Sequence, residues 1–350
     1  MKAALKTAEG TFEVCEVEQP ELPGDDWVLI RVRAAGICGT DLRHWRKHEH
    51  DLEGHIMGHE LAGDVVVVGE SVRNVAVGDR VVVETVLGCG RCDYCRGGRY
   101  NICPDLYATR TKTVSRAYGQ FLVAPASHVY TLPDHISFEE AALIDTLSVC
   151  LHAQHLSGLT INHRVAVIGA GPIGLGTLIL AKASGADVMI VDPVQTSLRL
   201  AQELGADVTI NPDTDDPESA VLAMTGGRGA DIVFECAGGA AMPTTLPLAT
   251  RLVRRGGKVV LIGGFDPGTI QIGLEWQRIQ MSEIQIIPSA SFAWHGLDKE
   301  QGEVLELIGK GRLNVARLIT HRFPLDRINE AFNCGEDKAQ TGAVFIAIEM

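Results

Sequence analysis

The chain has no run of about 18 apolar residues, so no segment reads as a membrane-spanning helix. Its first ten residues, MKAALKTAEG, have no apolar stretch after the lysines and do not read as a secretory leader. Basic residues are in deficit. Thirty-one Lys and Arg face 44 Asp and Glu, a net charge of −13, which argues against nucleic acid as a partner because phosphate binding needs a basic face. No internal repeat and no low-complexity segment interrupts the 350 residues. Cysteine is sparse outside one place. Five of the nine (Cys15, Cys38, Cys150, Cys236, Cys334) are scattered singly, as expected in a reducing cytoplasm rather than in a disulfide-built secreted protein.

The remaining four are concentrated: Cys89, Cys92, Cys95 and Cys103, spaced C-x2-C-x2-C-x7-C. Two-residue gaps make poor disulfide partners but let thiolates turn inward on one tight loop. A seven-residue excursion returns the fourth to close a tetrahedron. That is the ligand set of a structural zinc, with no position left for a substrate. This metal holds a lobe together, and the chemistry belongs elsewhere.

A chain of this length predicts two domains. The first 135 residues read mainly as β: Val28–Arg33, Leu61–Gly69, Arg80–Thr85, Phe121–Val123 and His128–Leu132 are short strands suited to a partly open barrel or sandwich. Ser137 and Glu140 form a capping-box pattern ahead of an apolar helical stretch reaching about Leu156. From Arg164 the rhythm is strand–helix–strand, with strands near Val165–Ile168, Val188–Val191, Val208–Ile210, Ile232–Glu235, Lys258–Ile262 and Ile284–Ile287. That alternation predicts a doubly wound parallel sheet. The tail, with a helix after Glu300 and strands near Leu318–Phe323 and Ala343–Ile348, is expected to rejoin the first lobe.

The strand Val165–Ile168 runs directly into Gly169-Ala-Gly171-Pro172-Ile173-Gly174, which opens a helix. In that context the glycines allow a tight turn and close approach of backbone to a pyrophosphate, and the helix N-terminus meets its charge. Asp192 ends the next strand, 23 residues after Gly169. An acid there can accept the ribose hydroxyls and repel a 2′-phosphate, so NAD is expected over NADP. The alternative is that Asp192 only caps the next helix. Arg199 could reach the same ribose. Loops after later strands, Cys236-Ala237-Gly238 and Leu261-Ile262-Gly263-Gly264, would complete the cofactor wall.

Cys38, in GICGTDL, and His59-Glu60, 21 residues on, supply thiolate, imidazole and carboxylate, a donor set suited to a second zinc. Taken in order, GICGTD, GHE, VGDRV, the cysteine loop and VIGAGPIGL resemble the zinc-dependent medium-chain alcohol dehydrogenases over essentially the whole chain. The resemblance is to the sorbitol, polyol and threonine dehydrogenase-like branch.

That resemblance implies an α/β protein with a GroES-like catalytic domain over 1–150, carrying the structural zinc loop 88–103. A Rossmann NAD-binding domain would follow over 151–290, then a return to the catalytic domain over 291–350. It implies one catalytic and one structural zinc per chain, NAD, and a homodimer or homotetramer joined by edge pairing of the cofactor lobes. By the same likeness Cys38, His59 and Glu60 belong to the catalytic zinc. The remaining protein position falls at Asp145. The sorbitol branch has glutamate there, usually followed by proline; here aspartate is one methylene shorter and Thr146 follows. Asp145 then binds directly or through water, and Cys150 is a lesser candidate.

Thr40 matches the family's proton-relay hydroxyl, and Asp41 the acid that orients a ligand histidine. Where many relatives end the relay in histidine, this chain has Arg43, with His44 next; the proton leaves by His44 or by water. The expected activity is hydride transfer between NAD and a secondary alcohol, a polyol, sugar or sugar acid, giving the ketone. L-Threonine dehydrogenase-like and simple alcohol dehydrogenase activities are the nearest alternatives. An inactive NAD-binding relative is the remote one. The segment Arg43–His50 is rich in cations and reads either as a solvated loop or as a wall for an acidic or phosphorylated polyol, with Trp45 at its apolar edge. Phe292 and Trp294 read as pocket or interface residues.

Overall fold

The computed structural model describes residues 1–8, 10–46, 53–106, 116–264 and 270–350. They form two compact units, one of Met1–Thr146 with Phe292–Met350 and one of Leu147–Ser291.

The first unit opens with a hairpin, β1 (Lys2–Ala8) and β2 (Thr11–Glu16). Its main sheet has seven strands. Five come from the first part of the chain: β3 (Trp27–Gly36), β4 (Glu60–Val68), β5 (Arg80–Val83), β6 (Phe121–Pro125) and β7 (Val129–Thr131). Strand β3 is long enough to pair with β4 on one side and with β6 on the other. Helix α1 (Gly39–Arg46) follows β3, and a short helix α2 (Asp93–Arg96) lies inside the cysteine loop. Helix α3 (Phe138–Ala142) begins with the expected capping box, in which Glu140 N–H donates to Ser137 Oγ and Ser137 N–H to Glu140 Oε2. Helix α4 (Ile144–Ser157) then carries the chain into the second unit.

That unit is a six-stranded parallel sheet built from β8 (Arg164–Ile168), β9 (Asp187–Val191), β10 (Val208–Ile210), β11 (Ala230–Glu235), β12 (Val253–Leu261) and β13 (Gln285–Pro288). Their order is β10-β9-β8-β11-β12-β13. The direction of winding reverses between β8 and β11, and in such sheets ligands bind at the carboxyl ends beside that reversal. Helix α5 (Pro172–Ala183) follows β8, α6 (Gln195–Glu203) follows β9, α7 (Pro217–Met224) precedes β11, α8 (Met242–Leu252) precedes β12, and α9 (Trp276–Met281) precedes β13. Ala166, Met189, Val191, Val233 and Val259 fill the core, the continuous apolar strands expected of a sheet covered on both faces.

The tail adds the short hairpin β14 (Trp294–His295) and β15 (Asp298–Lys299), α10 (Glu300–Gly309), β16 (Ile319–Pro324), α11 (Ile328–Glu336), α12 (Lys338–Thr341) and β17 (Phe345–Glu349). Strand β17 pairs with the end of β3, within the first unit.

Two local readings change. Arg43–Arg46 belongs to α1 rather than to a solvated loop; residues 47–50 lie outside the described residues. Trp45 is buried with its ring 5.3 Å from that of Phe332, which also meets Phe12 and Tyr118. Leu42 and Trp45 are three apart on a helix, so both turn inward, and Trp45 is core rather than a pocket edge.

Candidate metal centres and cofactor loop

In the antiparallel register of β3 and β4, Gly36 is the partner of Glu60. The chain leaves β3 at this level and re-enters at β4, so Cys38, two residues after Gly36, comes beside His59, one residue before β4. The donor atoms of Cys38, His59 and Glu60 all lie within 4.8 Å of one another, with His59 and Glu60 buried.

Asp41, on the first turn of α1, holds this group from behind. Its Oδ1 lies 3.5 Å from His59 Nδ1, and its Oδ2 accepts the Cys38 N–H at 3.1 Å. An imidazole held at Nδ1 has Nε2 left for a metal. Tyr118, fully buried, donates its hydroxyl to the same Oδ2 at 2.9 Å. Burial works to raise the Asp41 carboxyl, but His59 and the hydrogen bonds from His59, Tyr118 and Cys38 win and hold it below the usual range.

Glu60 accepts the Thr146 hydroxyl at Oε1, while Oε2 is buried without a partner among the described residues. Burial pushes Glu60 up to about 7; His59 opposes the rise and Asp145 adds to it. A buried carboxylate oxygen with no hydrogen bond is costly unless a cation meets it. Thiolate, imidazole and carboxylate at this spacing, with one carboxylate oxygen unpartnered among the described residues, fit zinc.

Asp145 and Thr146 sit on the first turn of α4. Asp145 is buried and accepts the Thr85 hydroxyl at 3.3 Å. Thr40 and His44 are half-buried on α1, one turn apart. Arg43 donates to Thr40 Oγ1 at 3.1 Å. Cys150 lies in the second unit, where its thiol donates to the Ile173 carbonyl.

Cys89, Cys92, Cys95 and Cys103 likewise bring their sulfurs within 4.8 Å of one another. Cys92 caps α2 and accepts the Cys95 N–H, and Cys103 Sγ accepts the Cys89 N–H at 3.3 Å. Backbone N–H groups of Arg91 and Cys92 pull the Cys89 thiol down to about 6, whereas burial, then Cys92 and Cys103, push Cys95 up to about 12. Four thiols this close cannot all ionise by themselves, and a divalent cation removes the conflict. Trp294 packs against this loop, its backbone N–H donating to the Gly98 carbonyl, and Phe292 is fully buried.

In the second unit the glycine loop follows β8 as expected. Gly169 has φ +99°, open to glycine at little cost. A Cβ on Gly174 would meet the Gly169 carbonyl oxygen at 1.7 Å, whereas a Cβ on Gly171 would meet nothing within 4 Å among the described residues. The first pair closes the turn against the helix, and open space lies over Gly171 at the N-terminus of α5, where Pro172 and Ile173 begin the helix. That is the room and polarity a pyrophosphate needs.

Both oxygens of Asp192 accept backbone N–H groups, Oδ2 from Ala170 at 2.6 Å and Oδ1 from Val194 at 2.7 Å. This pins the glycine loop to the end of β9, and a carboxylate keeps lone pairs to accept ribose hydroxyls as well. Arg199 is exposed on α6. Ala237 is exposed beside the same loop, a Cβ on Gly169 meeting its N at 2.9 Å. Ile262 and Gly263 follow β12, and a Cβ on Gly263 would meet Gly238 N at 2.4 Å. The loops after β8, β11 and β12 thus converge at the reversal of strand order.

Tyr118, Thr85 and the role of Thr146 were not read from sequence. Tyr118 is 77 residues from Asp41, and no local pattern links them.

Residues 24–134 match the alcohol dehydrogenase GroES-like domain, and 172–309 match the zinc-binding dehydrogenase family. The chain is 35% identical over 336 residues to a sorbitol dehydrogenase of Bacillus subtilis, covering 95% of this chain and 92% of that one. It is 34% identical to a D-arabitol-phosphate dehydrogenase of Enterococcus avium, covering 95% and 94%. Among solved structures it resembles a short chain alcohol dehydrogenase of Escherichia coli CFT073 complexed with NADH (TM-score 0.86, 27% identity, 100% and 99% covered). It also resembles a zinc-binding dehydrogenase of Sinorhizobium meliloti 1021 bound to NADP (TM-score 0.87, 30% identity, 100% and 99% covered). The chain belongs to the zinc-dependent medium-chain alcohol dehydrogenase family, in its sorbitol dehydrogenase-like branch, and is an oxidoreductase that uses zinc and a nicotinamide cofactor.

Proposed function

We propose that this enzyme oxidises a secondary alcohol of a polyol, sugar or sugar acid with NAD, using one catalytic and one structural zinc per chain. The observation that carries the reading is the group Cys38, His59 and Glu60, with Glu60 Oε2 buried and unpartnered among the described residues. Cys89, Cys92, Cys95 and Cys103 would hold the structural ion. When bound, a catalytic zinc would supply Lewis acidity at a substrate oxygen and the nicotinamide a hydride acceptor.

The chain's own residues do the rest. Asp41 keeps the His59 ring in one orientation, and Tyr118 keeps Asp41 in place. Thr40 is the hydroxyl through which the substrate proton leaves. Arg43, which donates to Thr40, stays protonated and can take no proton, so His44 on the same helix is the acceptor. Asp145 stands beside the ligands, held by Thr85, as a second acid for the site. The loop of Gly169, Gly171, Pro172, Ile173 and Gly174 seats the pyrophosphate, Asp192 the ribose, and Ala237, Ile262 and Gly263 the wall beyond it. An acid rather than a base at the end of β9 favours NAD over NADP. The sorbitol and arabitol-phosphate activities of relatives point to polyhydroxy substrates.

We further assign a homodimer or homotetramer. Among the described residues β13 is an edge of its sheet, and Trp276 and Met281 on the helix before it are exposed. A cytoplasmic setting suits thiolates that must stay reduced for zinc.

The test is NADH formation by zinc-loaded protein across polyols, sugar acids, sugar phosphates, L-threonine and simple alcohols, with metal counted by elemental analysis. Turnover confined to polyhydroxy substrates with two zinc per chain is expected. Turnover of threonine or simple alcohols alone would overturn the substrate class, and one zinc per chain would overturn the two-metal reading.

A further inference from the structure

The two oxygens of Glu60 are not equivalent. Oε1 accepts the Thr146 hydroxyl at 2.6 Å. Oε2 has no partner among the described residues and lies so close to Gly36 that a Cβ there would come within 2.3 Å. Thr146 is itself buried and is delivered by the first turn of α4, 86 residues from Glu60.

We propose that Thr146 is a positioning residue for the catalytic metal: by occupying Oε1 it makes Glu60 a one-oxygen ligand through Oε2 and holds that oxygen at Cys38 and His59. The inference rests on reading this group as a zinc site. A free carboxylate can turn, leave, or offer both oxygens. Restricting it to one oxygen keeps a coordination position open, which a catalytic zinc needs and a structural zinc lacks. Partners that hydrogen-bond a ligand are worth about 10–100-fold in metal affinity. Thr146 moves no proton and touches no substrate; it acts through Glu60.

The experiment uses full-length protein loaded with cobalt, in wild type, Thr146→Val and Thr146→Ser. Metal release to a chromophoric chelator and the visible cobalt bands are followed together. The four-thiolate site, with its stronger sulfur-to-cobalt absorption, serves as an internal reference for folding. The valine variant is expected to release the Cys38–His59–Glu60 metal about tenfold more readily and to shift its bands, with the four-thiolate metal retained. Serine, which restores the hydroxyl, is expected to return both readings toward wild type. Wild-type retention and spectrum in the valine variant would overturn the proposal, as would a serine variant as weak as valine, which would mean packing rather than the hydrogen bond. Uptake of a single metal by wild type would overturn the zinc-site reading itself and the proposal with it.

Discussion

Tyr118 donates its hydroxyl to Asp41 Oδ2 at 2.9 Å across 77 residues of sequence, and Asp41 in turn faces His59. The hydroxyl also reaches the Gly36 carbonyl at 3.1 Å, at the end of the strand that leads to Cys38. One buried phenol thus ties the supporting acid to the strand that supplies the thiolate. Tyr118→Phe keeps the ring packing against Phe12 and Phe332 and deletes only the oxygen. It is expected to lower kcat/KM about tenfold through a loosened His59, with about 1 kcal/mol lost in stability. Steady-state kinetics and urea unfolding check it; unchanged kinetics would remove Tyr118 from the support of the site.

The cysteine loop closes only because Gly88 has no side chain. A Cβ there would stand 2.5 Å from Cys95 Sγ and 2.8 Å from Tyr100 Cβ. Gly88→Ala is therefore expected to cut metal content by one ion per chain and to lower Tm, while the Cys38–His59–Glu60 site still loads. Elemental analysis with thermal melting reads this out. Full metal content in the alanine variant would show that the loop has slack the structure does not suggest.

Much of this was legible in the sequence because it is local. The four cysteines, the glycine loop with Asp192, and the capping box of Ser137 and Glu140 each lie within one short stretch whose spacing is set by a turn or a helix end. The parallel sheet was legible from apolar runs alternating with helices. The initial hairpin, Lys2–Glu16, was not singled out, because its polar alternation is ordinary in any edge strand. Helix α1 was hidden by its charges: Arg43, His44 and Arg46 read as solvent-facing, while only Leu42 and Trp45 signal an inner face. Thr85, Tyr118 and Thr146 were out of reach for a different reason. Each acts on an acid far away in sequence, and only the folded register brings donor and acceptor together.

His128 gives the protein a pH dependence in the acid range. Burial lowers its pKa to about 4; Glu84 opposes this and Lys299 adds to it. The folded pKa lies below the usual 6.5, so the native state keeps the ring neutral while the unfolded chain takes up a proton. The stability this represents is present above pH 6.5 and is lost as pH falls through about 4, up to about 3 kcal/mol in all. His128→Gln removes the titrating group. Urea unfolding from pH 7 to 4 is expected to show a shallower fall for the variant than for wild type, a comparison that cancels the acid sensitivity of the thiolates. Parallel curves would mean that His128 is already solvated enough to charge in place.

Gly171 and Gly174 are three residues apart and should fail in opposite ways. A methyl on Gly174 would overlap the Gly169 carbonyl oxygen, so Gly174→Ala must displace either the loop or the helix that follows. It is expected to lower Tm and to weaken NADH binding together. Among the described residues a methyl on Gly171 meets no atom within 4 Å, and its backbone, at φ −80°, is one any residue adopts. Gly171→Ala is therefore expected to leave Tm unchanged. The methyl would nonetheless stand in the space over the helix N-terminus where a pyrophosphate approaches the backbone. Loss of at least tenfold in NADH affinity, about 1.4 kcal/mol, is expected from fluorescence titration. Stable protein with weakened binding in Gly171→Ala, and weakened binding that follows destabilisation in Gly174→Ala, would separate a glycine kept for the ligand from one kept for the fold. Equal affinity of Gly171→Ala and wild type would mean that the cofactor phosphates sit elsewhere on the edge formed by the loops after β8, β11 and β12.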